Sequence, residues 1–262
     1  MANTSLMHGG TRFGTLTSTL LFPLPWKDDY PSCQEWADEL ECLLTFADSQ
    51  GQRTAFLPRI KTNRANQRDE ALNELRVAMP LQSNGFPIVA WSPAGLGAMV
   101  GEYLVRAPEP VNVFVEVKSP GWESELSHAE RLAGRAQLPK HLDGEGGAFA
   151  NWDGIRKCIK SSKTYAKFST AQPNLLVIAD DFFVSLSDTE TQIDIGLYSD
   201  RSGYGNETGY FTSPAYRNLG GAAVFGAFVG GKGMVEYKFR VYENRYAASD
   251  TKLPKSILAL RV

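Results

Sequence analysis

Two runs rich in β-branched and aromatic residues, Glu102–Arg106 and Val111–Lys118, flank the segment Ala107-Pro108-Glu109-Pro110. Proline has no N–H for a strand ladder, so the chain turns between the runs. A link this short joins only antiparallel strands. Strand side chains alternate between faces. Val113, Val115 and Val117 therefore share one face, and Phe114, Glu116 and Lys118 share the other. A turn symmetric about Glu109 sets Glu102 opposite Glu116. Residues directly opposite have Cβ atoms about 4.5–5.5 Å apart, so two carboxylates meet near the strand end, which Ser119-Pro120-Gly121 closes. Their repulsion calls for a positive charge between them. Magnesium or manganese is the natural choice, since both take oxygen ligands from carboxylates, waters and phosphate. Lys118 is placed to hold a phosphate oxygen or to help activate a water. The alternative for Glu116 and Lys118 is a solvated sheet face, and for Glu102 the mere start of a strand.

The rest of the pattern alternates helix and strand. Ser32 caps a helix carrying Trp36, Leu40, Leu43, Leu44 and Ala47 as an apolar stripe, and Gly51 ends it. A second helix runs from about Asn66 to Met79, broken by Pro80, Asn84 and Gly85. Phe86–Ser92 reads as a strand, Gly121–Leu138 as a helix and Asp143–Gly147 as a loop. Asp153 caps a further helix from Gly154 to about Phe168. Leu175–Ala179 is a continuous apolar run between Pro173 and Asp180-Asp181, as in a strand buried on both faces. Beyond Phe182 helical periodicity stops, and short runs at Ile193–Tyr198, Ala222–Val229 and Met234–Tyr242 read as strands. Gly230-Gly231-Lys232-Gly233 reads as a hairpin turn, since no helix start follows it to make a phosphate loop. The organisation expected is an irregular arm over residues 1–31, an α/β core over 32–181 and a β-rich extension or subdomain over 182–262.

Composition removes several function classes. The 262 residues suffice for a large core without staples. Lysine and arginine total 27 against 29 acids, a net charge of −2, so the chain is no globally basic binder. The three cysteines form no CxxC pair, the three histidines are scattered, and no GxxxxGK[ST] or GxGxxG segment occurs. No apolar run approaches the ~18–20 residues of a membrane span, and no secretion signal is apparent. The expectation is a cytoplasmic protein without a membrane partner. Positive charge is concentrated locally: Arg156, Lys160, Lys163 and Lys167 recur at steps of four, three and four, one face of a helix. Arg53, Arg59, Lys61, Arg64 and Arg68 form a second cluster. Both would neutralise backbone phosphates without reading sequence; the alternative for the stripe is an ordinary charged outer face.

Glu116-Val117-Lys118, the carboxylate across the hairpin, and the helix and buried strand that follow together resemble the PD-(D/E)XK nuclease superfamily. The resemblance covers about residues 66–181. It implies a restriction-endonuclease-like mixed sheet flanked by helices, here with a β-rich C-terminal extension. It also implies metal-dependent hydrolysis of phosphodiester bonds in nucleic acid, DNA foremost. Glu102 and Glu116 would hold Mg2+ or Mn2+ with the Val117 carbonyl, and Lys118 would act on the water. Glu74, on the helix before Gly85, would supply a further acid. The sequence departs from the family at one place. The second acid is usually Asp, often after Pro, whereas here Pro93 is followed by Ala94 and Glu102 takes the position. That departure keeps open a nuclease-fold protein that binds nucleic acid or a protein without cutting. The Gly- and aromatic-rich last third keeps open an assembly role, with a homo-oligomer as its simplest form. Asp180 and Asp181 are a second candidate for metal.

Overall fold

The computed structural model describes residues 7–8, 10–22, 34–62, 64–95, 99–119, 158–159, 167–179, 196–198 and 209–262. These fall into two compact units. The first takes the chain up to Met79 with residues 227–237; the second takes the described parts of 80–226 and Lys238–Val262.

The first unit is helical. It begins with a two-strand hairpin, β1 (Met7–His8) and β2 (Thr11–Arg12), followed by α1 (Thr15–Leu21). Within the expected irregular arm, residues 10–22 hold regular structure, and the cap of α1 is non-local. Glu41 of α2 (Gln34–Ser49) accepts the amides of Leu16 and Thr17, each at 2.8 Å, and so satisfies donors that a helix start leaves open. Gly14 permits the approach, since a Cβ there would strike the Glu41 carboxylate. The apolar stripe of α2 is buried as expected, and Gly51, at φ 68°, ends the helix in the left-handed region. Next comes α3 (Arg53–Ile60), not foreseen from the sequence, which buries Phe56 and Ile60. In α4 (Ala65–Ser83) Pro80 lies inside the helix, which stops at Gly85 rather than at the proline. Leu81 continues the buried stripe past Pro80, and the Phe86 amide returns to the Leu81 carbonyl at 3.0 Å around Gly85.

The main sheet is six-stranded and mixed, and falls in the second unit except for residues 227–229 and 235–237, which are counted in the first. Its order follows the chain: β3 (Ile88–Trp91), β4 (Tyr103–Arg106), β5 (Asn112–Lys118), β6 (Asn174–Ala179), β7 (Gly221–Val229), β8 (Val235–Glu243). The first three form an antiparallel meander, and β5–β6 and β6–β7 are parallel. The protein is thus α/β, and the C-terminal strands extend the same sheet. The glycine-rich segment 230–233 is the turn joining β7 to β8, with Gly233 at φ 67°. β6 is buried at every position, as its unbroken apolar run requires. A core of Phe114, Phe168, Leu176, Ile178, Leu219 and Val224 packs on this sheet. The short edge strand β3 carries a bulge between Ile88 and Ala90 and is bracketed by Pro87 and Pro93, devices that discourage edge pairing.

Two expectations in this part are corrected. Residues 196–198, read as strand, are helical. The helix expected to reach Phe168 has ended sooner: residues 158–159 are helical, Lys167 lies in a turn and Phe168 follows it. The helix expected over Gly121–Leu138 and the loop at Asp143–Gly147 lie outside the described residues. No helix among the described residues is long and apolar enough to cross a membrane.

Candidate active site

The hairpin register decides the geometry. Tyr103 pairs with Val115, Leu104 with Phe114, Val105 with Val113 and Arg106 with Asn112. One step further along this ladder sets Glu102 against Glu116, the symmetric register about Glu109. The Ala107 amide closes the turn on the Val111 carbonyl at 3.0 Å. Glu102 sits just outside β4, and its Oε2 accepts the Val117 amide at 3.2 Å. It is therefore anchored to β5, not merely the start of a strand.

β5 lies between β4 and β6 and is buried from Val113 to Val117. The Glu116 side chain is 0 % exposed, which removes the solvated-face alternative for that residue. A lone ionised carboxylate at such depth is too costly to persist. Lys118 answers it from the same face, with Nζ 2.5 Å from Glu116 Oε1 and 3.6 Å from Glu102 Oε1. A second ammonium arrives from elsewhere in the chain: Lys167 Nζ donates to Glu116 Oε1, also at 2.5 Å. The two ammonium nitrogens are therefore no more than twice that distance, 5.0 Å, apart.

Burial alone would raise the Glu116 carboxyl. The charge and hydrogen bonds of its neighbours, Lys118 and Lys167 among them, outweigh it and hold Glu116 below the ordinary glutamate range. Glu116 Oε2, meanwhile, is buried and meets no hydrogen-bond donor among the described residues. One carboxylate oxygen thus carries two ammonium groups, and the other is left open among those residues.

Comparison with protein-family models, with curated proteins and with solved structures gives no match. The chemistry therefore rests on the residues themselves.

The sequence placed Glu102, Glu116, Val117 and Lys118 together, and the structure brings them together. Glu74 lies in the helical unit, where Arg59 donates to both of its oxygens at 2.5 and 2.6 Å. Arg68, counted in the second basic cluster, is buried rather than set on a surface, at 1 % exposure. Arg53 of that cluster pairs with Asp48 at 3.1 Å. Arg156, Lys160 and Lys163 lie outside the described residues, as do Asp180 and Asp181.

Lys167 is expected, by its four-residue spacing from Lys163, on a phosphate-facing stripe; its ammonium donates to Glu116 Oε1. Its backbone is fixed from three sides. Phe168 is fully buried with its ring edge-on to Phe114, centroids 6.2 Å apart. Asn174, also fully buried, donates to the carbonyls of Ser169 and Gln172 at 2.7 and 2.9 Å, bracing the next loop. Gly95 lies so near that a Cβ on it would come within 2.7 Å of the Lys167 carbonyl. Asn174, directly before the apolar run, was the one sequence signal for that brace.

Proposed function

We propose that this chain is a metal-dependent nuclease that hydrolyses phosphodiester bonds in nucleic acid, with DNA as its foremost substrate. The observation that carries the reading is Glu116, fully buried on a central strand, in register with Glu102 and bonded to Lys118. The meander followed by a parallel fourth strand supports it, being the strand arrangement the family resemblance implies.

The donor set fits a hard divalent cation. Two carboxylates converge, and the buried Glu116 Oε2 has no donor among the described residues. Glu102 and Glu116 would hold Mg2+ or Mn2+, with the Val117 carbonyl as a further oxygen. When bound, such an ion polarises the phosphoryl group and lowers the pKa of a bound water. Lys118 is 31 % exposed, so its ammonium is reachable from solvent while tethered to both acids. It would hold a non-bridging phosphate oxygen and stabilise the charge that develops during attack, at a position fixed before substrate arrives.

A second reading is a nuclease-fold protein that binds nucleic acid without cutting. Its observation is Lys167, which adds a second ammonium to Glu116, so that two lysines already balance two carboxylates. Among the described residues no cluster of three or more acidic, histidine or cysteine side chains is placed to hold a metal.

The test is cleavage of linear and circular double-stranded DNA and of single-stranded DNA and RNA, with Mg2+ or Mn2+ and with chelator. Cleavage is expected with metal only. Lys118→Met should lower it by about 10²–10³ while the protein stays folded, the usual weight of such an electrostatic group. Binding that is insensitive to metal, without cleavage, would move the assignment to the second reading. Neither binding nor cleavage of any of these substrates would overturn both.

A further inference from the structure

Building on the metal-dependent reading above, we propose that Lys167 is the site's resident counter-cation: its ammonium holds Glu116 in the metal-free protein, and a divalent cation must compete with it for that carboxylate.

Charge gives the first argument. Among the described residues that meet at the site, Glu102, Glu116, Lys118 and Lys167 carry two negative and two positive charges when all are ionised. A divalent cation added to that set leaves an excess of two positive charges around a carboxylate with no exposure to water. Like charges so close, in a poorly screened site, repel strongly. The excess falls if an ammonium withdraws, or if an anionic phosphodiester enters.

Connection gives the second. Lys118 sits two residues from Glu116 on the same strand and bridges both acids, at 2.5 and 3.6 Å. Lys167 comes from a turn 51 residues away in sequence and bonds Glu116 through one oxygen. Its backbone is held by Phe168, by the Asn174-braced loop and by the close passage of Gly95. The side chain beyond that anchor is long, and 16 % of it is exposed. The ammonium can therefore leave Glu116 without disturbing the backbone that delivers it. Glu116 Oε2, which meets no donor among the described residues, gives the third argument, since it marks an open place beside the one that Lys167 fills.

The experiment is calorimetric titration of Mn2+ into chelator-stripped, full-length protein without nucleic acid, for the parent, Lys167→Met and Lys167→Gln. Glutamine keeps a donor for Oε1 and removes the charge, so it serves if the Met variant does not fold. Both folded variants should bind Mn2+ about tenfold more tightly than the parent, equivalent to about 1.4 kcal/mol. A loosened fold would weaken a metal site, so a gain in affinity is not a by-product of damage. Affinity equal to or below the parent's in a folded variant overturns the role of Lys167 and leaves the metal-dependent reading standing. No Mn2+ binding by the parent or either variant up to millimolar concentration overturns both.

Discussion

Glu39 on α2 and Glu116 on β5 are both glutamates carried into the interior, at 6 % and 0 % exposure. They are satisfied in opposite ways. Around Glu39 both oxygens are occupied. Arg76 donates to Oε1 and Oε2 at 2.8 Å each, and the Tyr237 hydroxyl adds a bond to Oε1 at 2.9 Å. Arg76 also donates to Asn73 and stacks its guanidinium over Trp36, 5.0 Å from the ring centre. Burial, with the Glu39 charge next, pushes the Tyr237 hydroxyl up, so it remains a donor. Around Glu116 two ammonium groups crowd one oxygen, while the other meets no donor among the described residues. Glu39 closes its bonding, whereas Glu116 leaves one oxygen open among the described residues.

The largest expected effect tests the closed half of this contrast. Arg76→Met should cost about 3–5 kcal/mol, because it strands a buried carboxylate. Urea unfolding with a two-state fit reads the loss directly. Replacing the pair together, as Glu39→Met with Arg76→Met, should recover most of it, since apolar substitutes of similar volume often stabilise as well as a buried ion pair. If Arg76→Met unfolds within 1 kcal/mol of the parent, an order-of-magnitude bound taken from exposed pairs, the Glu39 network is not the closed structural set described above.

These two sites also differ in how far the sequence exposes them. The Glu102–Glu116 pairing follows from arithmetic about Glu109, because a strand ladder has a fixed period and a proline-marked turn fixes its centre. Lys167 is hidden by its own neighbours. It keeps helical spacing with Lys163, yet it lies in a turn, and what places it is tertiary: Phe168 against Phe114, and Asn174 bracing the loop. The same holds for α1, whose cap comes from Glu41, more than twenty residues away. Pro80 misleads for a related reason, since the apolar stripe through Leu81 outweighs one lost helix bond. Glu39 is readable as an acid on an apolar face, three residues after Trp36, but Arg76 stands 37 positions on with nothing local to link them.

The open half predicts a smaller effect, which depends on pH. The folded Glu116 carboxyl is held below its unfolded value. As pH falls, the unfolded chain therefore binds this proton first. The stabilisation from Glu116 is complete above the ordinary value, about 4.3, and is lost as pH drops through the lower folded value. Melting temperatures of the parent should fall across that window. Glu116→Gln, with no proton to take up there, should fall less steeply. Parallel curves for parent and variant would place the acid sensitivity elsewhere and remove Glu116 as the site's retained charge.

The smallest effect concerns strain, which falls in the same half of the comparison. Among the described residues Ser92, at φ 49°, is the one non-glycine with positive φ. Its amide donates to the Glu102 carbonyl at 2.9 Å, so it pins the end of β4 from which Glu102 reaches β5. An L-residue in the left-handed region costs roughly 1–2 kcal/mol, and glycine escapes that cost while adding about 0.5–1 kcal/mol of unfolded-state freedom. Ser92→Gly should therefore raise stability by about 0.5 kcal/mol. Ser92→Val, branched at Cβ, should lower it by about 1 kcal/mol, since branching is least tolerated at positive φ. Opposite signs in the two variants mean that the fold tolerates strain where it holds Glu102 in register. If glycine destabilises as much as valine, the serine side chain matters rather than its backbone, and the strain belongs to neither half of the contrast.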